Sequence, residues 1–112
     1  MEKIAVRVRK LNPAAQTPVY MSSGAAGCDV FAFLEGPLEI APLGRVAVPT
    51  GLSVEIPPGY EIQVRPRSGL AWKQGLTVVN APGTIDSDYR GEVRVLLVNL
   101  GTEKAILQPG DR

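Results

Sequence analysis

The sequence predicts an all-β protein, because glycine and proline divide it into short pieces and because apolar residues alternate with polar ones inside several of those pieces. Twelve glycines and ten prolines are spread along the chain of 112 residues. After the first twelve residues, the longest stretch free of both runs only from Glu92 to Leu100. Such lengths suit strands better than helices. Many short strands with frequent turns are typical of a barrel, a sandwich or a jelly roll, and the length fits one domain.

Three alternating segments predict strands in the first two thirds of the chain. Apolar residues occupy every second position in residues 4–8 and again in residues 52–56. Each pattern indicates a half-buried strand. Residues 60–65 alternate in the same way directly after the turn signal Pro57-Pro58-Gly59. We therefore expect a hairpin around this turn.

The longest uninterrupted segment predicts the central strand. Residues 93–98 begin by alternating and then become apolar on both faces, which is typical of a strand in the middle of the core. The one segment that suits a helical turn is Ser68 to Gln74, and Gly75 follows it as a stop signal.

The composition excludes several kinds of chemistry. The chain has no histidine and a single cysteine, Cys28. It therefore has no histidine base, no cysteine and histidine ligands for zinc, and no second cysteine for a disulfide within the chain. Any metal would be held by oxygen atoms, which favours Mg²⁺ or Ca²⁺. We expect Cys28 to be a small core residue.

The charge balance excludes global attraction to nucleic acid or to an anionic membrane. Twelve Lys and Arg stand against eleven Asp and Glu, a formal net charge of +1, so any phosphate binding must be local. Arg7 and Arg9 interrupt the apolar N-terminal run, which is unlike a signal peptide. No run approaches the roughly 18 apolar residues of a membrane span. These observations predict a soluble intracellular protein.

Two of the three segments that stand out combine small residues with charged ones. In residues 24–30, a run of small residues leads to Asp29; this is either a tight turn in which Asp29 bonds its own backbone or a carboxylate near a Mg²⁺ ion. In residues 65–69, two arginines precede Ser68 and Gly69. Guanidinium, hydroxyl and backbone N–H groups suit a phosphate, and the alternative is an arginine pair on a solvated strand edge.

The third segment, residues 80–91, carries Asp86, Asp88 and Tyr89 close to Gly83. An EF-hand loop is excluded, since Arg90 and Leu97 would stand at its fifth and twelfth positions. A plain polar turn between two strands is the alternative. Gly83, however, lets the backbone approach a flat ligand closely.

Taken together, these segments resemble the homotrimeric dUTP diphosphatase (dUTPase) family. The similarity lies in A-A-G-C-D-V at 25–30, R-P-R-S-G-L-A at 65–71, N-x-x-G-T-I-D-S-D-Y-R-G-E at 80–92 and Q-P-G-D-R at 108–112. It covers nearly the whole chain, and the second and third motifs are specific. Residues 1–112 would form a single domain. The rest of the fourth motif, an exchanged C-terminal strand and the Gly-rich fifth motif do not follow, so we expect weak binding or slow turnover from this chain.

The resemblance implies a distorted jelly-roll or β-barrel fold of the β-clip type, assembled as a homotrimer. It implies a cytoplasmic enzyme that cleaves dUTP to dUMP and pyrophosphate and so keeps uracil out of DNA. Mg²⁺ would be carried by the triphosphate through water, with Asp29 nearby. The expected partners are dUTP and two further copies of the chain, without nucleic acid or membrane.

The resemblance also assigns roles to the candidate residues. Asp86 corresponds to the carboxylate that orients and deprotonates the attacking water, and Tyr89 to the ring that leaves no space for a ribose 2′-hydroxyl. The remaining candidates are substrate contacts: Arg67, Ser68 and Gly69 for the phosphates, Asn80, Gly83, Thr84 and Ile85 for the uracil edge, and Arg94 as a weaker contact. Each site would take its third motif from one subunit and its first, second and fourth motifs from a neighbour, so an isolated monomer should be inactive.

Two other interpretations stay open. The related dCTP deaminases share the fold, but we expect them to lack the D-x-D-Y-R-G arrangement of residues 86–91. A catalytically impaired β-barrel that only binds nucleotide or oligomerises is the second alternative. A nucleic-acid module is disfavoured by the near-neutral charge and by only 5% aromatic residues.

Overall fold

The computed structural model describes residues 2–112, which form nine short strands and one helix. The elements in chain order are β1 Arg7–Lys10, β2 Leu38–Ile40, β3 Arg45–Pro49, β4 Leu52–Glu55, β5 Ile62–Val64, α1 Ser68–Gln74, β6 Leu76–Val78, β7 Gly83–Ile85, β8 Arg94–Asn99 and β9 Ala105–Leu107. The all-β prediction is confirmed. No helix within residues 2–112 has the length and apolar character needed to cross a bilayer.

The largest sheet has three antiparallel strands in the order β3-β8-β6. The segment predicted as the central strand therefore does lie in the middle of a sheet. Val98 and Asn99 at its end are buried, whereas Leu96 is 40% exposed. The expectation that this strand is covered on both faces is thus wrong at Leu96, which lines a surface cleft.

The remaining strands form three antiparallel pairs, β1-β4, β2-β9 and β5-β7. The predicted hairpin is wrong, because β4 and β5 pair with different partners. The turn itself is present: the Tyr60 N–H donates to the Pro57 carbonyl at 3.2 Å, and Gly59 has a φ of 90°. Alternation correctly indicated strands on either side of this turn but carried no information about their partners.

The N-terminal strand is more exposed than its sequence pattern predicts. It begins at Arg7, and all four of its residues are exposed. Ile4, Val6 and Val8 are 38%, 40% and 39% exposed. Within the described residues β1 pairs only with β4, so the described chain leaves its apolar face largely uncovered.

The core consists of two clusters of buried apolar residues. The larger contains Ile40, Val48, Leu76, Ala105 and Leu107, contributed by β2, β3, β6 and β9. The smaller contains Val54, Ile56 and Val93, with Ile62 and Ile85 packed against it. Ile85 belongs to the third motif, so the smaller cluster holds that motif against the core.

The predicted helical turn is confirmed as α1, which ends at Gly75 in the left-handed conformation with a φ of 71°. The Gly75 N–H donates to the Ala71 carbonyl, and the Leu100 N–H donates to the Gly75 carbonyl at 2.9 Å. Glycine is required here for a second reason: a Cβ at this position would lie 2.5 Å from the Gly101 nitrogen. The stop signal thus also fixes how the helix joins the sheet.

Candidate active site

The third motif surrounds a cleft of about 210 Å³, called here the Asp86 cleft. Seven of the residues that line it were predicted as site residues: Asn80, Gly83, Thr84, Ile85, Asp86, Tyr89 and Arg94. Val64, Val78, Glu92, Val93 and Leu96 complete the lining. A segment that the sequence offered as either a polar turn or a ligand site is therefore folded around a concave surface.

Strand β7 supplies one wall of the Asp86 cleft. It pairs with β5 in the register Val64↔Gly83 and Ile62↔Ile85. A Cβ at Gly83 would lie 3.1 Å from Asn80 Nδ2 and 3.5 Å from the Val64 Cβ. Glycine therefore lets the Asn80 amide lie against the strand backbone, which places a side-chain donor and acceptor beside backbone polar groups.

Asp86 stands at the start of a tight turn that is fixed by hydrogen bonds. The Tyr89 N–H donates to the Asp86 carbonyl at 3.1 Å, and Arg90 Nη1 donates to the Ser87 carbonyl at 2.6 Å. The Ser53 hydroxyl, in β4, donates to the Arg90 carbonyl at 2.8 Å. The backbone that carries Asp86 is thus held to the sheet, which gives its side chain a defined position.

The carboxylate of Asp86 is exposed and has no hydrogen-bond or ion-pair partner among residues 2–112. Asp86 lines both the Asp86 cleft and a wider, shallow depression of about 500 Å³ formed with Gly59, Tyr60, Glu61, Ser87 and Asp88. A carboxylate between two open spaces has free lone pairs and room for a water molecule. It can therefore accept a proton from that water.

Tyr89, Glu92 and Arg94 form a connected set in the same cleft. The Tyr89 hydroxyl donates to the Glu92 carbonyl oxygen at 2.7 Å. Glu92 Oε2 accepts from the Gly51 N–H at 3.0 Å, and Oε1 accepts from Arg94 Nε at 3.2 Å. The prediction of site residues missed Glu92. Its position two residues before Arg94, which puts both side chains on one side of extended backbone, was the available signal.

The second motif lies at the start of α1. Arg67 is the N-cap residue, with extended backbone and no side-chain cap, and Arg67, Ser68 and Gly69 are all exposed. Arg67 Nε lies 3.7 Å from Asp29 Oδ2, and Arg112 Nη1 lies 3.2 Å from the same oxygen. We call Asp29, Arg67 and Arg112 the arginine cluster. Two guanidinium groups around one carboxylate leave the cluster with a net positive charge, which suits an anion.

Backbone pairing brings the fourth motif beside the residues that directly follow the first motif. The Ala32 N–H donates to the Asp111 carbonyl at 2.7 Å, and the Gly110 N–H donates back to the Ala32 carbonyl at 2.9 Å. This pairing places Arg112 beside Asp29. Arg112 was not among the predicted site residues, because only the fold reveals its proximity to Arg67.

The structure corrects two expectations for the first motif. Asp29 does not bond its own backbone: its N–H and carbonyl pair with Val19 at 2.8 and 3.0 Å, and its carboxylate faces the two arginines. Cys28 is exposed rather than a small core residue, and it lies in a segment in which residues 21–24 and 26–27 are exposed as well. The described residues contain no group of three or more His, Cys, Asp or Glu side chains that could hold a metal ion.

The predicted site residues thus fall into two groups. The seven predicted residues between Asn80 and Arg94 share the Asp86 cleft, and Arg67 shares the arginine cluster with Asp29. Neither the Asp86 cleft nor the shallow depression beside it includes a residue of the first or second motif in its lining.

The protein is thus of the all-β class, with a cleft beside a carboxylate that has no partner among residues 2–112 and with a separate cationic cluster suited to phosphate. Comparison with known proteins identifies the family. A family model described as dUTPase matches residues 14–112. The chain belongs to the dUTPase family.

Curated relatives are similar in sequence over all or nearly all of the chain. The deoxyuridine 5'-triphosphate nucleotidohydrolase of Aquifex aeolicus is 55% identical over 114 residues, covering 100% of this chain and 76% of the relative. That of Treponema pallidum is 59% identical over 109 residues, covering 96% of this chain and 75% of the relative. The chain therefore spans about three quarters of the length of these relatives.

Solved structures agree in fold. The dUTPase of Streptococcus mutans has a TM-score of 0.72 and 29% identity, covering 85% of this chain and 77% of that one. A mutant dUTPase from phage phi11 of S. aureus, described for its coordination of a structural Mg(II) ion, has a TM-score of 0.74 and 28% identity, covering 87% of this chain and 61% of that one. These neighbours support the predicted jelly-roll fold.

Proposed function

We propose that this chain hydrolyses dUTP to dUMP and pyrophosphate, as the names of its relatives imply. The observation that carries the proposal is the position of Asp86, a carboxylate free of partners among residues 2–112 on a fixed turn between two open spaces. A general base needs such access to the water that it deprotonates.

In the proposed reaction, Asp86 orients a water molecule and accepts its proton as the water oxygen bonds to phosphorus. The phosphorus attacked is that of the α-phosphate, and its bond to the oxygen bridging the α- and β-phosphates breaks. Pyrophosphate then leaves, and dUMP remains. The carboxylate is suited to this role because neither oxygen is occupied by an arginine, in contrast to Asp29 in the arginine cluster.

The base and sugar would bind in the Asp86 cleft. Among the described residues β7 pairs only with β5, so its other edge leaves backbone N–H and C=O groups available to the edge of uracil. Asn80 lies against Gly83 on this strand and adds an amide donor and acceptor. Tyr89, fixed by its bond to the Glu92 carbonyl, would pack against the deoxyribose and exclude a 2′-hydroxyl.

The triphosphate would be bound by Arg67, Ser68 and Gly69, and their separation from the Asp86 cleft favours a site built between subunits. We therefore infer a homotrimer in which one copy supplies the third motif and a neighbour supplies the arginine cluster. The exposed apolar residues support association, because a monomer would leave them in water. They include Val6, Val8, Leu43, Trp72 and Leu100.

Mg²⁺ would be brought by the triphosphate rather than held in a protein cage. Asp29 is the protein group suited to a water-mediated contact, although its carboxylate also faces Arg67 and Arg112. Mg²⁺ commonly keeps several waters and binds one or two carboxylates together with substrate phosphates. When bound, the ion neutralises phosphate charge and orients the chain of phosphates.

We further propose that residues 1–112 act as one domain and that the protein works in the cytoplasm, where it acts on free nucleotide rather than on nucleic acid or membrane. The near-neutral charge supports this choice of partner, since a binder of DNA would carry a basic surface.

The test is pyrophosphate release from dUTP, with dTTP, dCTP and UTP as controls and with and without Mg²⁺. We expect turnover of dUTP alone. Asp86→Asn should lower kcat by about 10² to 10⁴, whereas the matched variant Asp88→Asn should retain activity because Asp88 lines only the shallow depression.

Equal activity of the two variants would contradict the role of Asp86. Binding of dUTP by the unmodified chain without turnover would favour a nucleotide-binding barrel, and release of ammonia from dCTP would favour the deaminase group.

A further inference from the structure

The shortest approach between a side chain and a glycine in the third motif is that of Tyr89 to Gly91. A Cβ placed on Gly91 would lie 2.6 Å from the Tyr89 hydroxyl oxygen, 2.8 Å from Cζ and 3.1 Å from Cε1. Favourable contacts between carbon atoms lie at about 3.5 to 4.0 Å. The ring therefore occupies the space that any side chain at position 91 would need.

The backbone conformation at position 91 does not itself require glycine. The described glycines with positive φ are Gly51, Gly59, Gly75 and Gly110. Since an ordinary residue could adopt the backbone of Gly91, the requirement for glycine there is one of space alone.

The ring cannot move aside for a larger residue without losing the hydrogen bond of its hydroxyl group. The Tyr89 hydroxyl donates to the Glu92 carbonyl at 2.7 Å, and the Tyr89 N–H donates to the Asp86 carbonyl at 3.1 Å. The Glu92 side chain is itself held by the Gly51 N–H at 3.0 Å. The ring is thus held through its hydroxyl group, and the main chain of Tyr89 is held separately by the Asp86 carbonyl.

We propose that Gly91 is a positioning residue that sets discrimination between deoxyribose and ribose by leaving space for the hydroxyl end of the Tyr89 ring. The inference rests on the proposed function, in which this ring packs against the sugar. Tyr89 and Glu92 both line the Asp86 cleft, so a displaced ring changes the shape of the cleft itself. Gly91 acts through Tyr89 and touches no reacting atom.

Replacing Gly91 by alanine forces the ring away from its seat and breaks or weakens the bond to the Glu92 carbonyl. The wall that excludes a 2′-hydroxyl then loses its position. A change in the contacts around a single substrate group typically alters discrimination between two substrates by about tenfold or more. We therefore expect the ratio of kcat/KM for dUTP to that for UTP to fall by about tenfold or more.

The experiment measures that ratio by pyrophosphate release for the unmodified chain, Gly91→Ala, Tyr89→Ala and the double variant. If Gly91 acts through Tyr89, then Gly91→Ala has no further effect on the ratio in the Tyr89→Ala background. Gly36→Ala is the matched control, since no atom lies within 4 Å of a Cβ at that position, and it should leave the ratio unchanged.

An unchanged ratio in Gly91→Ala, or the same fall in both backgrounds, overturns the proposal. If Gly91→Ala does not fold, the double variant tests the clash instead: Tyr89→Ala removes the atoms that a Cβ at position 91 would meet, so the double variant should fold, and its failure to fold overturns the proposal. Failure of the proposed function is distinguishable, because the unmodified chain would then not turn over dUTP. In that case, the affinities of the same variants for dUMP and UMP are measured by calorimetry, and the ratio of the two affinities replaces the ratio of kcat/KM.

Discussion

Replacement of Asn99 by alanine should destabilise the fold more than any other single polar truncation that we consider. Asn99 is 0% exposed. Its Nδ2 donates to the Ile40 carbonyl at 2.9 Å and to the Glu103 carbonyl at 2.8 Å, and its Oδ1 accepts from the Gly101 N–H at 2.8 Å. The side chain thus joins the end of β8 to β2 and to the loop before β9.

The expected loss in the free energy of unfolding follows from these three hydrogen bonds. Each intramolecular hydrogen bond contributes about 0.5 to 1.5 kcal/mol, and buried partners left unpaired raise the cost, so the variant should lose about 3 kcal/mol. For a domain of this size the melting temperature should fall by about 10 °C. Asn12→Ala is the control, because the exposed Asn12 side chain makes one local bond, from the Ala14 N–H at 2.8 Å.

The assay is urea unfolding followed by circular dichroism, at one protein concentration because association shifts apparent stability. The midpoint should fall while the slope with urea stays constant. A loss for Asn99→Ala no larger than that for Asn12→Ala would refute the argument that this buried amide joins the strands.

Three further predictions concern phosphate binding, the end of α1 and a surface ion pair. Arg67→Ala should weaken dUTP binding by about tenfold or more and deoxyuridine binding little, since a guanidinium recognises the phosphates; equal losses in calorimetry would contradict its role. Gly75→Ala should cost about 2 kcal/mol or more, because its Cβ would lie 2.5 Å from the Gly101 nitrogen at a φ of +71°; an unchanged melting temperature would show that the junction can relax. Glu39→Gln should change stability by less than about 0.5 kcal/mol, because its pair with Lys104 is solvent-exposed; a thermal shift of several degrees would contradict this.

Local signals predicted the parts of the fold that depend on neighbouring residues. Ser68 to Gln74 and the stop at Gly75 were predicted because helix ends are set by adjacent residues. Residues 93–98 were recognised as a central strand because their apolar pattern reflects burial. The hairpin around Pro57-Pro58-Gly59 failed, because alternation assigns faces to a strand but leaves its partner undetermined.

The candidate site was predictable to the extent that it is continuous in sequence. The seven predicted residues between Asn80 and Arg94 share one cleft because β7, the turn at Asp86 and the start of β8 follow one another. Arg112 was missed because its approach to Asp29 depends on pairing of Ala32 with Asp111 across the fold. Glu92 was missed because its partner, the Gly51 N–H, lies on a distant turn.

We have inferred that one active site combines Asp86 of one copy with Arg67 of another, and mixing two impaired variants decides whether it does. Asp86→Asn and Arg67→Ala chains are unfolded together, refolded at equal amounts and assayed for pyrophosphate release from dUTP. In randomly mixed trimers with sites between neighbours, about a quarter of the sites pair an intact Asp86 with an intact Arg67. We therefore expect recovery of about a quarter of the activity of the unmodified chain. Activity of the mixture no greater than that of the two variants refolded separately would contradict it.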